Sequence, residues 1–253
     1  MRASSYVNVL LPLVLVSGVL ALYGVANSAA PAAQASPQVT RSDAERRAHM
    51  QVHFSQVMTV HEAVIRGDVA SAQAPAIWLA NHDAPSMPAG SAPFVAQMQR
   101  AARRTADASS VLEAALGAAD MLKTCGDCHR AIGTMPVIAI QPARPEVHGL
   151  VGHMLAHQQA ADQMLQGLVA PSSALWRAGA GGLQSAPLRP AALPSDRKLS
   201  GAVVASEKRL HELASQASRA EDPGARAVFY GQILSRCAAC HALHPGVWGP
   251  TRR

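Results

Sequence analysis

Between residues 41 and 66, Met50, His53, Val57, Val60 and Val64 follow one another in steps of three and four. That spacing keeps them on one face of an α-helix. The same row returns as Met154, His157, Ala161, Met164 and Leu168 at a constant offset of 104 residues, which predicts an internal duplication. Gly67-Asp68 ends the first helix, and Asp68 caps a second that runs to about Asn81, with Pro75 kinking or restarting it. Ser172 matches Asp68 at the same offset. A third helix over Phe94 to Thr105 turns Val95, Met98 and Ala102 inward, and a fourth runs from Ser109 to about Ile132 on Val111, Ala115, Ala118, Leu122 and Cys125. In the second copy Leu199, Val203, Ser206, Leu210, Leu213 and Ala217 mark the third helix. Phe229, Ile233 and Cys237 mark the fourth, over Pro223 to Leu243. The Gly- and Pro-rich stretch Gly179 to Pro194 reads as a connection. No strand pattern competes. The expected fold is all-α, two tandem four-helix bundles over residues 41–132 and 146–244, with a linker at 133–145.

All four cysteines fall in two identical frames, Cys125-Gly126-Asp127-Cys128-His129 and Cys237-Ala238-Ala239-Cys240-His241, 112 residues apart. Cys-x-x-Cys-His is the attachment signal of c-type haem, in which both thiols add to porphyrin vinyl groups and the histidine becomes the proximal iron ligand. Residues i, i+3 and i+4 share one helical face, so one short segment can meet one flat macrocycle. A zinc ribbon would bring its two cysteine pairs within about 15 to 20 residues of each other, and a thioredoxin-like motif would sit beside a strand. Neither condition is met. Two covalent haems are the expectation, on Cys125, Cys128, Cys237 and Cys240, with His129 and His241 as proximal ligands.

Composition agrees with a large apolar cofactor. Apolar residues make up 49% of the chain but aromatic ones only 4%, so side chains alone give a thin core. The formal charge of +6 becomes +5 over residues 36–253, with 21 Lys and Arg against 16 Asp and Glu. Four haem propionates would nearly cancel that, which argues against a nucleic-acid partner. Residues 1–35 read as an export segment. Arg2 supplies the positive end, residues 7–26 are uncharged and dominated by Leu, Val, Ala and Gly, and Ala33-Gln34-Ala35 offers a cleavage site. The segment is either removed or kept as a membrane anchor. Both outcomes put the folded part outside the cytoplasm, in the periplasm or on the outer face of the membrane, where haem c is attached.

In an up-down-up-down bundle the first and fourth helices are antiparallel, so a sixth ligand should come from early in the first. His53 and His157 sit on the apolar row in matching register and are the candidates. Met50 and Met154 are alternatives, as is His153 if the offset were the 100 that separates Gly67 from Gly167. His49, His61 and His148 read as solvent-facing or hinge residues, and His82, His211 and His244 carry no pattern.

Four helices ending in Cys-x-x-Cys-His resemble the class II c-type cytochromes, the cytochrome c-prime group, here as two domains in tandem over about 41–132 and 146–244. The resemblance implies that the sixth iron position is vacant or filled by a helix-one residue, often Met. This chain departs from that pattern with His-Met-x-x-His at both places, His49 to His53 and His153 to His157. The functional expectation is a dihaem electron carrier with bis-histidine low-spin haems, serving redox protein partners such as a membrane-bound electron-transfer complex, and not an enzyme. The alternative is an enzyme or sensor whose five-coordinate haem binds peroxide, nitric oxide or carbon monoxide.

Overall fold

The computed structural model describes residues 41–83, 87–136, 138, 148–186 and 200–243. The expected export segment 1–35, most of the linker 133–145, Leu199 and His244 lie outside the described residues. Among the described residues the chain is all-helical. It comprises α1 (Arg41–Ile65), α2 (Val69–Asn81), α3 (Ala92–Ala106), α4 (Val111–Ile132), α5 (Gly149–Val169), α6 (Ser173–Ser185), α7 (Gly201–Ala217) and α8 (Pro223–Ala242). None of them is long and apolar enough to cross a membrane.

Helix boundaries follow local chemistry. Asp68 accepts from the Ser71 backbone N–H and Ser172 from that of Leu175, so the caps at the 104-residue offset are structural equivalents. Ser110 and Glu113 close a capping box on α4, and Gly133, at φ 69°, ends that helix in the left-handed region. Two expectations need correction. Of the two outcomes open at the buried Pro75, a kink or a restart, the restart does not occur, because α2 is one helix from Val69 to Asn81. Residues 179–185 belong to α6 and not to a connection. Gly179 is helical because α6 lies flat on α5, where a Cβ would come 2.5 Å from the Ala160 carbonyl oxygen.

The apolar rows are buried as their spacing requires: His53, Val57, Val60 and Val64 on α1, and His157, Ala161, Met164 and Leu168 on α5. Each helix of the first half, α1 to α4, packs on the next, and α1 also meets α4. The second half, α5 to α8, repeats this, and α5 also meets α8. The halves join along α4 and α8, with further contacts of α4 on α5 and α1 on α8, and the eight helices belong to one compact unit. α4 and α8 run antiparallel. A Cβ on Gly231 would stand 2.9 Å from Leu116 Cα, and one on Gly224 would stand 4.0 Å from Lys123 Cε. Much of the core is alanine, which lets the helices approach closely around a few large side chains such as Trp176, Tyr230, Leu79 and Met121.

Candidate functional site

Both cysteine motifs occupy the closing turns of the helices that join the halves, α4 and α8. The four thiols are free. Burial, reinforced by Cys128 and Cys240 respectively, pushes the Cys125 and Cys237 thiols up to about 12, so both are protonated near neutral pH.

Each motif histidine is held from the opposite half. His129 Nδ1–H donates to the Val169 carbonyl at 2.8 Å, and His241 Nδ1–H donates to the Ile65 carbonyl at 2.9 Å. Ile65 and Val169 are the last residues of α1 and α5, 104 apart, where helix carbonyls lack intrahelical donors. A carbonyl can only accept. The bonds therefore fix the proton on Nδ1 and leave the ligating role to Nε2, the arrangement that orients histidine toward a metal. Backbone contact at the motifs is close: a Cβ on Gly126 would fall 1.9 Å from the Leu168 carbonyl oxygen. Arg130 pairs with Asp127 at 3.1 Å, inside its own motif.

No protein-family model matches the chain, and neither curated proteins nor solved structures include a significant match. The site is therefore read from its own geometry.

Around His53 the structure gathers His49 and His82, with ring centroids 4.4 Å and 5.1 Å away. The ligating atoms of the three all lie within 4.8 Å of one another. Trp78 stacks on His82 at 3.9 Å and meets His53 edge-on. The Nε2 atoms of His49 and His53 are buried with no hydrogen-bond partner. Burial, then the neighbouring His49 and His82, lowers His53 to about 4, so the ring is neutral. α3 ties this cluster to the first motif. Its residue Gln99 donates to the His82 carbonyl, and Ser91, two turns earlier, lies near enough to the Cys128 thiol to offset part of the rise that burial gives it.

The equivalent cluster differs. Glu207 Oε1 lies 3.0 Å from His211 Nε2, 3.2 Å from His153 Nε2 and 3.9 Å from His157 Nε2. His153 is close but poorly aligned for a hydrogen bond, and His157 Nε2–H donates instead to the Ala186 carbonyl at 3.1 Å. Burial pushes the Glu207 carboxyl up, but its contacts with His153 and His211 and the proximity of His157 outweigh that and hold it far below the usual range. His211 is raised, mainly by its hydrogen bond to Glu207. The carboxylate's charge also reaches Cys237 and Cys240, so this cluster borders the second motif.

Sequence reasoning overlooked His82, His211 and Glu207, although Glu207 and His211 stand four residues apart on one face of α7. It also read His61 as a solvent-facing or hinge residue. His61 is 4% exposed, and its Nε2–H donates to the Tyr230 hydroxyl at 2.9 Å, which in turn donates to the Ala161 carbonyl. α8 of the opposite half covers that shoulder of α1, a contact that periodicity within one helix does not reveal.

Proposed function

We propose that the chain is a dihaem c-type cytochrome that passes single electrons between redox partner proteins outside the cytoplasm. Each half, residues 41–132 and 146–244, is read as a four-helix bundle holding one haem. The observation that carries this reading is the pair of Nδ1–carbonyl bonds at His129 and His241, because each prepares an imidazole for metal beside two free, protonated thiols.

When bound, haem supplies an iron that takes up and releases one electron. The residues supply the rest. Cys125 and Cys128, and Cys237 and Cys240, tether the macrocycle. His129 and His241 would be the iron ligands supplied by the motifs, and His53 and His157 those supplied by the first helix of each half. α3 links the His53 cluster to the first motif, with Gln99 on the His82 carbonyl and Ser91 near Cys128, which supports His53 as a ligand from the motif end of the bundle. Its buried, unpartnered Nε2 is suited to accept an iron. His157 occupies the same register and would exchange its Ala186 carbonyl bond for the metal.

From the contact of Gly231 with Leu116, Cys125 and Cys237 lie nine and six residues away in opposite directions. Along the helix axes that separates them by roughly 22 Å. Such spacing sets the two carriers at opposite ends of the α4–α8 pair.

An absorption spectrum with a pyridine haemochrome assay tests the proposal. Two c-type haems per chain, low-spin when oxidised and indifferent to carbon monoxide when reduced, are expected. High-spin iron that binds carbon monoxide in both halves would replace electron transfer with the gas-binding reading.

A further inference from the structure

Both halves present a histidine pair at the same helical register, His49 with His53 on α1 and His153 with His157 on α5. The third helix of each half treats that pair differently. At an offset of 112, the positions of Glu207 and His211 on α7 are held by Val95 and Gln99 on α3. The first cluster of potential ligands is made of imidazoles alone, His49, His53 and His82, flanked by Trp78. In the second, the Glu207 carboxylate stands among three imidazoles, with its side chain 13% exposed.

We infer that Glu207 makes the two haem sites electrically unequal, holding the second at a lower reduction potential than the first. The inference rests on the dihaem reading above and deepens it. A shielded carboxylate beside an iron stabilises the ferric form over the ferrous, because oxidation adds a positive charge that the carboxylate attracts. Shielding matters, since an exposed carboxylate would be screened by water and salt. His211 shares Glu207 Oε1 at 3.0 Å and tempers the effect. Val95 offers the first site no charge. A singly reduced chain therefore keeps its electron in the first half, and partners meet a donor end and an acceptor end. Glu207 is a positioning and tuning residue, not an iron ligand.

The test is a spectroelectrochemical titration of the full-length, haem-loaded protein. Wild type should titrate in two one-electron steps. Glu207→Gln keeps the shape and removes the charge, so the lower step should move upward while the upper one stays. Val95→Glu adds a carboxylate to the first half and should lower the upper step, drawing the two together. If Glu207→Gln moves neither step, or moves both equally, the inference is overturned. If it fails to fold, an upper step unchanged in Val95→Glu overturns it. The wild-type haem content separates this from the parent reading: a chain without two covalent haems sinks the dihaem proposal itself.

Discussion

At Tyr230 a single hydroxyl links three helices, since it receives from His61 on α1 and donates to Ala161 on α5. Burial lowers His61 to about 4, against about 6.5 when exposed. Between those values the unfolded chain binds a proton that the folded chain refuses, so stability falls as pH drops from about 6.5 to 4 and then levels off. From pH 7 to 5 the loss from this one group is about 2 kcal/mol. Leucine stands at the equivalent position of the other half, 165. His61→Leu leaves Tyr230 its carbonyl partner and should remove that share of acid sensitivity, as read from urea denaturation at the two pH values. An unchanged difference would contradict the assignment. His53→Ala belongs to the same scale: about half of the oxidised spectrum should turn high-spin and bind carbon monoxide once reduced. A spectrum identical to wild type would remove His53 from the iron.

The helices were legible where one helix determines its own behaviour. The rows on α1 and α5, the caps Asp68 and Ser172 and the inward cysteines all depend on local spacing and short-range hydrogen bonds. What stayed hidden depends on a second helix. Residues 179–185 looked like a loop because glycine is a poor helix former, yet close contact with α5 needs the absence of a side chain there. The same logic sets an expectation at Gly126, where the Leu168 carbonyl leaves no room for a Cβ. Gly126→Val should force α4 from α5 at a cost of about 1 to 3 kcal/mol. It should also loosen the His129–Val169 bond, reducing haem attachment at the first motif more than at the second. Ala239 is exposed, and Ala239→Ser serves as the control. Equal haem loading and stability in both variants would mean that the contact has no role.

Over the whole molecule, the matching helix registers and caps were visible in the sequence, but the way the two sets of four helices interlock was not. Each copy lends a helix-terminal carbonyl to the other's motif histidine, across a sequence separation of 176 residues in one case and 40 in the other. Nothing in the local pattern of α1 or α5 announces that exchange. It means that the halves are mutually dependent in orienting their motif histidines while the two motifs remain at separate ends. The intact mass of the protein, expressed with its N-terminal segment in a host that attaches haem c, tests the central claim most directly. The account predicts a polypeptide carrying two haems, with all four cysteines blocked to thiol reagents. A mass equal to the polypeptide alone, or to the polypeptide with one haem, would contradict it.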